Sequence, residues 1–358
     1  MKESPQIASF NGLNNVTDPY RLGLSWLTSA ENVDVTRTGG LRSRDGYAQA
    51  LAASVSAAYA GEKTYIVDGG ALKQVMPDLS TVAVRAGLSA SPVYWAEING
   101  QVFYSGENKG IIGKEWMELA WEIPAAPKLS FGSGRLPAGT YQATCTRLLA
   151  DGRETGSGDV AEIAVPDGSA ILIEAGEGLL TYVARAETFQ LCQTASWNGE
   201  EPGVELATQF LRPIPENARQ IAFWQGRLFA AEYFAGDDIS LVWISEPLGF
   251  HLFRDFFAVP GEVRLLAPAS QGLIVGTDTN IHIYDGNLAA LADYGAVKGD
   301  YADDNNRVLF WTEKGLCAGL PFENLTEQQL RVAPGFEASV AVIEKYGDKK
   351  AVVSLALP

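Results

Sequence analysis

The side chains able to do chemistry are few and scattered. Only two histidines occur, His251 in GFHLFRDFF and His282 in NIHIYDG. Each is flanked by aromatic or β-branched residues, the setting of a partly buried structural histidine. Neither has cysteine, histidine or carboxylate companions at metal-ligand spacing. No GxSxG elbow supports a Ser-His-Asp triad. Carboxylates recur at Asp237-Asp238, at Asp303-Asp304 and in the turn at Asp68. Two carboxylates facing one pocket can hydrolyse a glycosidic bond, but in hairpin turns they more often hold the turn or face water. GTDTN (276–280) and DDNN (303–306) read as polar turns, and no DxDxDG calcium loop occurs. FGSGRLPAG (131–139) lacks the GK[ST] ending of a phosphate loop and reads as linker. No cofactor and no metal is expected.

Arg37, Arg42 and Arg44 cluster in VTRTGGLRSRDGY, a basic exception in a chain of net charge −16. They can face a phosphate or an acidic neighbouring subunit, or pair with carboxylates of their own strands; both readings stand. Trp95, Trp116, Trp121, Trp224, Trp243 and Trp311 can stack on sugar rings, although packing between sheets explains them more simply.

The elements that must position these residues follow a repeat. From Ile221 the chain runs IAFW, RLFAAEYF, SLVWIS, FRDFFAV and then begins again with EVRLLAP, GLIVGTD, NIHIYDG. Short β-branched and aromatic runs bounded by Gly, Asn, Asp and Pro are strand and hairpin signals. A cycle of about 40 residues is the period of a four-stranded propeller blade. Earlier cycles read VSAAYAG, KTYIVDGG, ALKQVMP, TVAVRAG and PVYWAEING, QVFYSG, KGIIGK, WMELAWEIP, with turns at Asp68-Gly69 and Asn99-Gly100. Later cycles fall at 262–298 and at 306–334, and the last two runs, ASVAVIEKYG and KKAVVSLALP, supply only half a blade. A closed ring leaves no unpaired edge, so NVDVTRTGG and LRSRDGY near the start are expected to complete it.

The expected fold is therefore all-β: a β-propeller of about six blades closed by N- and C-terminal strands. Proline, glycine and serine in 124–141 interrupt it as a linker does. The strands after it suit an inserted immunoglobulin- or fibronectin-like β-sandwich. The expected divisions are a turn-rich arm over 1–30, propeller over 31–128, the sandwich over 129–208 and propeller again over 209–358.

Composition agrees. The chain has 358 residues, 47% of them hydrophobic, with 37 glycines for tight turns. Twenty-seven basic residues against 43 acidic ones do not make a surface that grips nucleic-acid phosphates. Cys145, Cys192 and Cys317 form no metal or disulfide pattern; Cys145 and Cys192 are expected as neighbouring buried thiols of the sandwich. MKESPQIASFNG has no apolar core of a secretory signal, and no run reaches the length of a membrane span. Synthesis in the cytoplasm, with no membrane partner, is the expectation.

FNGLNNVTDPYRLG and AENVDVTRTGGLRSRDGY resemble the opening of virion structural proteins of tailed bacteriophages. AGTYQATCTRLLADGRETGSGD is similar to their inserted immunoglobulin-like domain. QGRLFAAEYFAGDDISLVWISEPL, APASQGLIVGTDTNIHIYDG and LFWTEKGLCAGLPFENLT look like their later blades. Together these stretches resemble the tail nozzle, or tail tubular protein B, family of short-tailed phages. The resemblance implies a non-enzymatic subunit of a virion tail or neck, in a ring of copies of itself, commonly sixfold. Other tail or neck proteins adjoin it, and genomic DNA passes without specific binding. The competing readings are a receptor- or glycan-binding tail protein and a carboxylate-dependent polysaccharide hydrolase.

Overall fold

The computed structural model describes residues 7–46, 48–89, 92–113, 115–185, 188–192, 195–199, 203–345 and 347–357. Among these residues every regular element is a strand. Four antiparallel four-stranded meanders follow the cycles of the sequence. Sheet A comprises Val55–Ala60, Thr64–Asp68, Ala71–Val75 and Thr81–Arg85; sheet B comprises Tyr94–Ile98, Gln101–Ser105, Lys109–Ile112 and Trp116–Glu118. Sheet C comprises Ile221–Trp224, Arg227–Phe234, Ile239–Glu246 and Gly249–Pro260; sheet D comprises Val263–Ala269, Gly272–Thr277, Ile281–Tyr284 and Leu288–Ala292. Asn99-Gly100 forms the tight turn expected of it, with φ of 52° and 73°. In sheet A the turn residues are Gly69-Gly70, one position later than expected.

A fifth meander, sheet E, comprises Ala296–Asp304, Arg307–Thr312, Gly315–Ala318 and Glu323–Asn324. Its first strand lies before the 306 boundary read from the sequence. AVKGDYADD has no apolar alternation because it runs along a polar seam, so it carries no period-2 signal. The hairpin Glu337–Lys345/Asp348–Ala356, called F, joins this strand in parallel through Lys298–Glu337 and Gly299–Ala338. E and F thus form one six-stranded sheet.

The first strands of consecutive sheets B to F lie side by side. Between successive sheets sits one hydrophobic core. Tyr65, Leu72, Tyr104 and Ile112 fill it between A and B, and Phe103, Leu228 and Phe253 between B and C. Phe229, Val242 and Leu273 fill it between C and D, Ile274, Phe310 and Cys317 between D and E, and Trp311, Leu316 and Val340 between E and F. Apolar burial at about 25 cal/mol per Å² stabilises each sheet through its neighbours.

The expected closure of the two chain ends differs in kind. Val33–Val35 and Leu41–Ser43 pair only with each other. Ion pairs tie this hairpin to F: Asp34 accepts from Lys350 at 2.6 Å, and Lys345 pairs with Asp45. Short strands with polar outward residues give too little edge for a ladder, so charges make the join.

Residues 128–197 form two packed sheets, Lys128–Leu136/Ser169–Glu174/Ser196–Trp197 and Ala161–Val165/Gly139–Arg147/Leu179–Ala184/Gln190–Cys192. Leu136, Tyr141, Ile171 and Val183 fill the space between them. The stretch read as linker is in fact a nine-residue strand with a bulge between Ser133 and Leu136. Gly134 is needed there because a Cβ would meet the Ser169 carbonyl at 2.4 Å. Cys145 and Cys192 are buried free thiols on either side of Thr181.

The first six residues of the expected arm lie outside the described residues; the rest is turn-rich but docked. Gly12–Leu13 and Trp26–Leu27 form a short parallel pair. Phe10 N donates to Gly39 O, and Asn15 clamps the 329–331 segment through Asn15 N to Gln329 O, Asn15 Nδ2 to Arg331 O and Arg331 N to Asn15 Oδ1.

Candidate functional site

Polar side chains from five sheets meet where the first strands converge. Tyr94 of sheet B hydrogen-bonds Gln220, which donates to Arg264 O at 2.6 Å. Glu262 accepts from Arg264 at 3.3 Å and faces Lys298 at 3.9 Å. Burial raises the Tyr94 phenol, with Glu337 and Glu262 adding to it. Tyr301 is pushed up to about 12, mainly by burial and then by Asp303 and Asp300. Asp300 is also raised by burial, although Val340 N and the Ser339 hydroxyl donate to it. The seam carries both signs of charge, and its groups largely satisfy one another.

A second feature lies at the junction of sheet B, sheet C and the two-sheet unit. A cavity of about 270 Å³ opens there. Sheet B contributes Gln101, Ile111 and Met117; the last hairpin of C contributes Leu248, Phe250 and His251; the 149–154 hairpin contributes Asp151 and Arg153. Phe250 packs edge-on against Phe103 and Phe223, so its position is fixed. Arg153 is held by Asp151 and donates to Glu118 O at 3.0 Å. His251 Nε2 donates to Glu154 O at 2.9 Å, and Trp121 Nε1 donates to His251 O at 2.7 Å. Burial lowers the imidazole pKa and keeps His251 neutral.

Close by, the buried Lys109 donates to Glu216 O at 2.5 Å and Gly106 O at 3.4 Å. Desolvation pushes its pKa down to about 8, with Arg219 adding to that. Its ammonium staples sheet B to the segment that enters sheet C. It had no signal in the sequence.

The residues singled out by type do not assemble into a catalytic group. His282 is half-buried with neither ring nitrogen hydrogen-bonded, and burial lowers its pKa. Asp238 accepts from Tyr233, Asp303 caps the Asn305-Asn306 turn, Asp304 pairs with Lys349, and Asp68 pairs with Lys73. All are turn or surface roles. Trp121, Trp224 and Trp311 are buried and donate to backbone carbonyls, while Trp95, Trp116 and Trp243 pack against inter-sheet cores. Among the arginines, Arg44 pairs with Asp34 at 3.4 Å and Arg42 lies near Asp45, whereas Arg37 is exposed at the hairpin turn. Among the described residues, no three His, Cys, Asp or Glu side chains cluster to hold a metal, and no helix is long and apolar enough to cross a membrane.

No family model matches the chain, and no curated protein matches it. Among solved structures it is similar to the extracellular domain of a hybrid two-component system from B. thetaiotaomicron, at 14% identity and a TM-score of 0.33. That match covers 82% of this chain, which spans 36% of the length of the other. The computationally designed Ika8 protein matches at 15% identity over 84% of this chain and 96% of its own, with a TM-score of 0.30. Apo AztD from Citrobacter koseri matches at 11% identity over 89% and 92%, with a TM-score of 0.29. Likenesses this distant carry no argument about function.

Proposed function

We propose that this chain is a structural subunit of a bacteriophage virion, assembled in several copies around the DNA path of a tail or neck. In this reading sheets A to F are the blades of a β-propeller of about six, the last completed by the Val33–Ser43 hairpin. The two-sheet unit is an immunoglobulin- or fibronectin-like domain inserted between blades B and C. Neighbouring first strands, one core per successive pair and the ion-paired ends support the ring. The sequence resemblance supports the virion role.

The observation that carries the assembly role is the N-terminal stretch. It is clamped to the 329–331 segment and packed on Gly39, where a Cβ would meet Ser9 at 2.4 Å. Yet it turns Val16, Tyr20 and Leu24 outward. A segment held rigid by hydrogen bonds while presenting apolar side chains to water has the form of a contact awaiting a neighbour. Arg37, at the turn this stretch packs against, is the basic group best placed to meet an acidic neighbour or a phosphate. The net charge of −16 suits a wall past which DNA slides without sticking. Copies of itself and other tail or neck proteins are the partners.

Cryo-electron microscopy of the particle tests the reading. Density for this chain as a ring on the tail axis is the expected result. Peripheral spikes would favour receptor binding, and absence from the particle would remove the structural role.

A further inference from the structure

We infer that Tyr20 of one copy inserts into the cavity between sheets B and C of the next, a head-to-tail contact that propagates around a ring. The inference rests on the propeller reading and names the contact by which its copies join.

The knob is built. Asp18-Pro19-Tyr20-Arg21 is a tight turn with Asp first and Pro second, the favoured placement. Arg21 N donates to Asp18 O at 2.8 Å, and Tyr20 N donates to Asp18 Oδ1 at 2.9 Å. The turn therefore holds its shape while Tyr20 is 99% exposed. A rigid aromatic displayed in this way loses little side-chain entropy on docking, and tyrosine is among the residues enriched at binding hot spots.

The hole is small and open, with room for a ring. Its volume of about 270 Å³ falls below the range of sites for drug-sized ligands, roughly 300–1,000 Å³. Ile111, Met117 and Phe250 give it apolar walls, and the Asp151–Arg153 pair and Gln101 offer polar groups to a phenol. At its rim Leu248 occupies the third position of the Glu246-Pro247-Leu248-Gly249 turn with φ of 59°, where glycine is the unstrained residue. Its side chain is nevertheless 76% exposed. A bulky residue in the left-handed region that packs so little within its own chain has a use outside it. Glu246 beside it is held only loosely by Arg254, at 3.8 Å. Arg21 has no ion pair among the described residues, so it is free to reach Glu246.

Placement selects a second copy as occupant. The knob sits over the segment between E and F, to which Asn15 clamps it. The hole lies between B and C. In the order A to F these junctions are half a circuit apart. Two different, complementary patches on opposite sides of one subunit make a heterologous contact, which repeats into a closed ring or a filament.

A photo-reactive phenylalanine analogue at position 20, with cross-linked peptides identified by mass spectrometry, tests this on the full chain purified and in particles. Cross-links to 101–117, 151–153 or 248–251 of another copy are expected. Leu248→Gly reduces that product at least about tenfold and leaves the fold intact or raises its melting temperature because it relieves the turn. Chains found as an axial ring whose position 20 cross-links elsewhere, or only to a different protein, overturn the inference while the proposed function stands. Head-to-tail cross-links from a chain absent from the particle support the contact and remove the virion role. No cross-link between copies in either setting overturns the contact.

Discussion

The two-sheet unit and the series of meanders solve burial differently. Residues 128–197 enclose one core between two faces, complete within themselves. No meander does so. Each of sheets B to E gives side chains to two cores, one with each neighbour, and is half a core short alone. Stability in the meanders is therefore a property of adjacency, as in other repeat architectures, whereas the inserted unit can in principle fold by itself.

Deleting a large side chain from each kind of core breaks this comparison most sharply. Phe253→Ala, in the B/C core, is expected to cost about 3–5 kcal/mol and to raise amide exchange in B and C together. Ile171→Ala is expected to cost about 2–5 kcal/mol, with lost protection confined to 128–197. Equal spread of exchange in both variants would show that the unit and the meanders unfold as one. Next in size is Gly299→Ala. The new Cβ would lie 1.8 Å from Ala338 O, so the parallel E–F pair must open. A loss of about 1–3 kcal/mol is expected, with exchange rising first along 337–356. Smaller again is Trp121→Phe, which removes the donor to His251 O and should cost about 1 kcal/mol. Limited proteolysis should then cut faster where the unit meets sheet C.

A further effect is one of pH. Lys109 titrates at about 8 in the folded chain against 10.5 for a free lysine. Between those values the unfolded chain holds a proton that the folded one has released, so stability rises with pH across the window; below about 8 the cost of the buried charge is fully present. Comparing urea midpoints of the native chain and Lys109→Met from pH 7.5 to 10 isolates the term. The variant should lack this component of the rise.

How much could be read in advance follows the same division. Sheets A to C were legible because their strands alternate against cores and turn at signals such as Asn99-Gly100. Ala296–Asp304 was not, since its Lys, Asp and Tyr side chains meet at the polar seam and leave no apolar period. Lys128–Leu136 was concealed by Gly132 and Gly134, which read as linker, although Gly134 serves a bulge. The cavity had no signature at all. Its walls come from 101–117, 151–153 and 248–251, three stretches that only folding brings together. Arg37, Arg42 and Arg44 were visible as a cluster, but their separation into two hairpin-bound cations and one exposed one depends on the facing carboxylates Asp34 and Asp45.

The join between the chain ends has one more consequence. Asp34 and Lys350 stand 316 positions apart, and the ammonium holds that carboxyl below its usual range. The cores between successive sheets A to F are hydrocarbon, which added salt does not weaken. This join is a clasp of charges near the surface, where ionic strength screens attraction over about 10 Å at 0.1 M. Salt therefore acts first at one place: the Val33–Ser43 hairpin is held against F in dilute buffer and is expected to loosen from it in brine, while the hydrocarbon cores stay packed.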